Sequence, residues 1–219
     1  MTSGSRRSGK GSAGRPELLG EAEVREIEDR LRALERERDA LAEESRHLRR
    51  RAQAAMARIH EGRRVDREVR EIGSEMRALA RRARVRGVGE VGAVHDALQE
   101  AVEATLLDRI SRGEPLPGRG ALGVGPEAYL TGLGDLAGEI RRLALAALSE
   151  GRLEVARQRL REMDSVYRLL LRFEAPRAIV SLKPKQDTAR ALLERTRGDV
   201  ALAEVLARAG LSSHRKRSP

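Results

Sequence analysis

Cysteine is absent from the 219 residues, which excludes disulfide scaffolds, thiolate zinc sites, iron–sulfur clusters and cysteine nucleophiles. Tryptophan is absent too, and the aromatic residues are limited to Tyr129, Tyr167 and Phe173, each in an apolar setting. Single strands of nucleic acid are commonly held on aromatic rings, so any such contact here has to rest mostly on backbone charge. No run approaches the roughly eighteen apolar residues of a membrane span. The Ser/Gly/Arg-rich start also lacks the apolar stretch of a secretory signal, and a soluble, cytoplasmic protein is expected. There is no Walker-type loop, and no Gly-x-Gly-x-x-Gly follows a strand, so nucleotide-cofactor chemistry is not expected. The four histidines, His47, His60, His95 and His214, show no His-x-x-x-His spacing and read as incidental. What chemistry the chain performs must run on carboxylates and arginine.

The net charge of +10 suggests nucleic acid, but its distribution matters. Arg6, Arg7, Lys10 and Arg15 lie before residue 17, and Arg215, Lys216 and Arg217 close the chain, with no acid in either stretch. Residues 1–16 and 210–219 therefore read as basic tails with too little apolar surface to fold. Between them, 17–209 is expected to form one domain. Lysine is rare, at Lys10, Lys183, Lys185 and Lys216, so arginine supplies most positive charge and a single Arg is weak evidence of a phosphate contact.

The body reads as helix throughout. Over residues 17–55, Val24, Ile27, Leu31, Leu34, Leu41 and Leu48 recur at spacings of three, four or seven, the pattern of a long amphipathic strut. Val65, Val69, Ile72, Met76, Leu79 and Ala83 then commit one face of a second helix to a core. At about 100° per residue, Arg63, Arg67, Arg70, Arg77, Arg81 and Arg84 form a stripe on the opposite face. A solvated face with i,i+4 ion pairs and a surface that tracks phosphates both fit that stripe. A break at residues 86–89 precedes a third helix, with Val94, Leu98, Val102, Leu106 and Ile110 on its apolar side. The Gly/Pro-dense stretch 113–125 reads as a connection. Pro126 suits the first turn of the next helix, which carries Tyr129, Leu133, Leu136, Ile140, Leu143 and Ala147 and closes at Gly151. Helices over 152–173 and 184–209 follow. No segment alternates with period two, and the fold class is all-α.

Two of these helices carry acids in a suggestive pattern. Asp96, Glu100 and Glu103 stand at i, i+4 and i+7, and Asp135 and Glu139 at i and i+4 beside an apolar seam. Set face to face, such helices would gather carboxylates suited to Mg²⁺ or Mn²⁺ and to metal-assisted phosphodiester cleavage. The plain alternative is a solvated acidic face, since Glu100 and Glu103 project away from their helix's apolar side. Gly132, Gly134 and Gly138 surround Asp135 in mid-helix, each costing roughly 1 kcal/mol relative to Ala, which points to a close approach by something else.

The stretch from Leu98 to Ala104 and the longer one from Tyr129 to Arg142 resemble the translin family, most closely its catalytic type, translin-associated factor X. The likeness extends over about residues 20–205 and includes the Tyr167 region and the run from Lys183 to Asp187. The resemblance implies an all-α subunit of about seven helices that assembles into a hollow octamer, binds single-stranded RNA or DNA, and cuts RNA with Mg²⁺. Carried over by position, Glu100, Glu103, Asp135 and Glu139 are the implied metal-binding and catalytic acids, and Glu75 is a looser match. Ala137 stands where the family motif commonly has Thr, and Ala101 and Val102 replace an aromatic between the two glutamates. With so few aromatics, binding would lean on the stripe from Arg63 to Arg84. Two rivals stay open: a binding module of the same assembly without turnover, and a structural helical assembly whose acids are merely solvated.

Overall fold

The computed structural model describes residues 19–86, 92–174, 176 and 180–210. Both tails expected from the sequence, apart from Gly210, lie outside the described residues, as does most of the break after Arg86. Among the described residues the chain is helical, without strands, in seven helices: α1 (Glu21–His60), α2 (Asp66–Val85), α3 (Ala93–Arg112), α4 (Arg119–Leu122), α5 (Pro126–Ser149), α6 (Leu153–Leu170) and α7 (Leu182–Arg208). No helix is long and apolar enough to cross a membrane.

Contacts divide the chain into two units, Met1–Ala40 and Leu41–Pro219. In the first, the described part of α1 is laced with local ion pairs such as Arg32 with Glu28 and Asp29, and Ile27, Leu31 and Leu34 are exposed. The second unit holds the core. The last turns of α1 bury Leu41, Leu48, Ala52, Ala55, Met56 and Ile59. Ala52 and Ala55 stand on this face where leucines held the earlier positions, which weakens the sequence signal, and Met56 and Ile59 extend it past residue 55.

α3 is the centre of the second unit. It packs on α2 and α5, while α5 also packs on α6 and α7. The apolar side expected for α3 is buried, and so is nearly all the rest, with every residue from 101 to 108 inside, Glu103, Thr105 and Asp108 included. A helix of alanine and leucine can be enclosed this way because small side chains let neighbours approach on every side.

The helix ends follow local chemistry. Pro126 occupies the first turn of α5, as expected. At the other end Gly151 adopts φ of 72°, its N–H reaching Leu148 O at 3.0 Å while Arg152 N–H reaches Ala147 O at 2.8 Å. These bonds satisfy the last carbonyls of α5 at a conformation that favours glycine. Within the connecting stretch 113–125, residues 119–122 form the single turn of α4, which the sequence did not announce.

α5 approaches α3 at Gly132. A Cβ there would lie 2.8 Å from Gln99 O and 2.9 Å from Val102 Cγ1, whereas one at Gly138 would meet only Leu192 Cδ1, at 3.8 Å. Gly132→Ala is therefore expected to destabilise the protein by about 1–3 kcal/mol through overpacking. Gly138→Ala should be neutral or stabilising by up to about 1 kcal/mol. Urea unfolding of the two variants beside the parent chain checks the difference in sign.

Candidate acidic active site

The contact of α3 with α5 brings together the acids singled out in the sequence. Glu100 and Glu103 lie about one turn apart on α3, and Asp135 and Glu139 one turn apart on α5. Glu103 is 7% exposed, and its carboxyl is pushed up to about 8. Burial is the main cause, followed by the charges of Asp135, Glu139 and Glu100, with Lys185 opposing them. All four acids thus share one electrostatic neighbourhood. Asp96 does not join them; it is exposed at the start of α3. Glu75, on α2, is held instead by Arg51.

Each acid around Glu103 has its own partner. Lys185 Nζ, from the first turn of α7, donates to both oxygens of Asp135, at 2.5 Å and 2.7 Å, and Gln99 Nε2 donates to Asp135 Oδ2 at 2.6 Å. His60, the last residue of α1, turns Nε2 onto Glu139 Oε2. That hydrogen bond holds the Glu139 carboxyl below its usual range against the opposing effect of burial, with help from the charges of His60 and Arg142. Glu100 meets Gln53 Nε2 at 3.3 Å and Arg49 Nε at 3.4 Å.

The expectation of an incidental His60 is thereby overturned: its ring is 6% exposed and joins α1 to the acidic group. Periodicity in a single helix could not reveal a partner 79 positions away. Lys185 was also missed, although one signal for it existed. In a chain that uses arginine almost everywhere, two of the few lysines flank Pro184. The glycine-rich run gave the other half of that signal. A Cβ on Gly134 would lie 2.8 Å from Lys185 Cβ and 3.2 Å from its Cγ, so the missing side chain is what admits the lysine stem beside Asp135.

Four oxygen-donor carboxyl groups suit a hard divalent cation. Among the described residues, however, no three His, Asp or Glu side chains are gathered so as to hold a metal ion. In the arrangement observed, Lys185 bonds Asp135 and His60 bonds Glu139. The donor set fits such an ion; in the present arrangement Asp135, Glu139 and Glu100 are held by Lys185, His60 and Arg49.

Beside His60 opens a cavity of about 710 Å³, lined by Arg63, Arg64, Arg112, Arg152 and Arg159 as well as Glu61, Asp66, Asp108 and Glu150. Arg112 is bound to Asp66 and Asp108, and Arg63 and Arg64 are well exposed. The six arginines of the expected stripe are all exposed. Arg67 pairs with Glu71 at 2.8 Å, and Arg84 Nη2 donates to Gly123 O at 2.5 Å. Arg70, Arg77 and Arg81 make no ion pair with a described residue.

No family model matches the chain. An uncharacterized protein of Methanocaldococcus jannaschii is 33% identical over 111 residues, which is half of this chain and half of that protein. Among solved structures, AfC3PO superposes with a TM-score of 0.72 at 30% identity, covering 84% of this chain and 97% of that one. The AfC3PO–duplex RNA complex gives 0.68 at 31% identity with the same coverage. The structure of apo-NeC3PO gives 0.76 at 21% identity over 85% of this chain and 99% of that one, a likeness of fold.

The raised Glu103 carboxyl has a consequence for stability. Unfolded, the group ionises near pH 4.5; folded, it keeps its proton to about 8. The folded state therefore binds more protons across that window, and this group makes stability fall as pH rises through it. In metal-free buffer, the Tm of Glu103→Gln relative to the parent should climb from pH 4.5 to pH 8 and then level off. Thermal melts at intervals of pH check it.

Proposed function

The chain belongs to the translin family, together with the C3PO structures, and from that premise we propose that it is a metal-dependent endoribonuclease acting on single-stranded RNA within a homo-oligomeric, octameric shell. The observation that carries the proposal is the shared field of Glu100, Glu103, Asp135 and Glu139 at the α3–α5 contact. Glu103 feels the charges of the other three acids there, in an enclosed setting. Within the family this acid set corresponds to the catalytic type, the translin-associated factor X type, rather than to the non-catalytic subunit.

In this reading Glu100, Glu103, Asp135 and Glu139 hold one or two Mg²⁺ or Mn²⁺ ions. A cation bound there supplies activation of a water and offsets charge on the scissile phosphate. The chain's own residues do the rest. His60 and Arg49 fix the orientation of Glu139 and Glu100 from α1, as partners of ligating carboxylates commonly do. Burial keeps bulk water from Glu103. The strand is held by guanidinium contacts to its phosphates along Arg63, Arg67, Arg70, Arg77, Arg81 and Arg84, with single-stranded DNA as a second ligand. The AfC3PO complex contains duplex RNA, which makes a paired substrate a necessary control.

A binding module without turnover is the second reading, favoured by one observation: the acids are satisfied by Lys185, His60 and Arg49, with no metal set gathered among the described residues. A purely structural assembly is the third.

The deciding experiment is cleavage of end-labelled single-stranded RNA, beside a duplex, with Mg²⁺, Mn²⁺ or chelator. The parent is expected to cut only with metal, and Glu100→Gln/Glu103→Gln to lose at least about 100-fold in rate while keeping its oligomer and its RNA affinity. Binding without cutting under every metal condition selects the binding module. On the binding side, a triple Arg70→Gln/Arg77→Gln/Arg81→Gln variant should bind RNA more weakly. The slope of log affinity against log salt should also become shallower by about 2, at roughly 0.7 for each single-strand phosphate that is no longer neutralised. Fluorescence anisotropy over a salt series measures it.

A further inference from the structure

Lys185 occupies Asp135 as a small cation would. Its Nζ sits within 2.7 Å of both carboxylate oxygens, and its charge is the one that opposes the repulsion acting on Glu103. Its stem is not free to leave. Gly134 leaves it a slot in which even a methyl group would overlap Lys185 Cβ, and the next turns of α7 are anchored by the buried Ala189 and Leu193. Only the outer torsions can swing. The lysine side chain is 30% exposed, so its ammonium has somewhere to swing to.

Building on the nuclease reading, we infer that Lys185 is a built-in counter-ion that competes with the divalent cation for Asp135 and, once displaced, turns to a phosphate of the bound strand. The ammonium engages both oxygens of Asp135, so a divalent cation that takes either oxygen meets a like charge at close range. Loading of the acidic site is favoured when the ammonium swings away, and an anion close by lowers the cost of that movement. Metal and RNA then bind with positive coupling, each tightening the other by the same factor. Without RNA the lysine keeps Asp135 neutralised. Lys185 acts here as a positioning residue through Asp135.

The test measures Mn²⁺ binding to the full-length protein by electron paramagnetic resonance of the free ion. It is run with and without a short phosphorothioate-linked single strand that remains intact at the end of the experiment. The parent should bind Mn²⁺ about 10-fold more tightly when the strand is present, a coupling within the usual range for linked sites. Lys185→Met should bind Mn²⁺ about 10-fold more tightly on its own and lose the coupling. Gly134→Ala, which keeps the charge but crowds the stem away from Asp135, should shift Mn²⁺ affinity in the same direction. Parent and Lys185→Met binding Mn²⁺ equally, with the same response to the strand, would overturn the inference and leave the nuclease reading intact. Mn²⁺ bound by Lys185→Met and not by the parent, with or without the strand, would support the counter-ion and overturn the nuclease reading instead. Mn²⁺ on neither protein would remove both.

Discussion

Repulsion among carboxylates at the α3–α5 contact is the constraint to which much of the second unit answers. α3 is enclosed on nearly every side, so Glu103 cannot relieve its charge by hydration. It either keeps a proton or finds positive charge nearby. The chain meets the same demand at the neighbouring acids with groups from distant places: Lys185 from α7, His60 and Arg49 from α1, and Gln99 from α3 itself. These contacts join the end of α1 and the beginning of α7 to the central pair. Removing Lys185 would leave the half-buried Asp135 carboxylate without its cation, which is costlier than never having placed it there.

That arrangement depends on small residues. Alanines and glycines let α3 and α5 come close at Gly132, and Gly134 opens the slot through which the Lys185 stem reaches Asp135. A core with few rings has little bulk with which to set distances, so close backbone approach does that work. The same scarcity shapes any dealings with nucleic acid. Without aromatic platforms, any nucleic-acid strand would have to be held by guanidinium groups, and those on α2 stand exposed on the face turned away from the core.

Much of the fold was legible in the chain. The three- and four-residue recurrence of Val65, Val69, Ile72, Met76, Leu79 and Ala83 marks α2, and all six are buried, Val65 at its cap and the others along it. Pro126 and Gly151 mark the limits of α5 because each satisfies a backbone requirement within a few residues. α4 escaped notice, since a single turn among glycines and prolines has no periodicity to detect. α3 was half read: its apolar stripe was visible, but enclosure of the opposite side depends on what packs there, and one helix's pattern does not contain that information.

For the site, the acid types and their spacing were in the sequence, because i,i+3 and i,i+4 positions on one helix share a side whatever the rest of the chain does. The glycines around Asp135 likewise announced a close approach without naming what approached. Which residues answer the acids was decided by tertiary structure alone. His60 reaches Glu139 and Lys185 reaches Asp135 across 79 and 50 positions of sequence. Such pairings arise only when packing brings separate helices together; the two lysines beside Pro184 hint at one of them, but no local pattern names the partner. Helical periodicity is a local property and could be read residue by residue; the balance of charge in a buried cluster belongs to the whole fold, and appears only once the helices are in place.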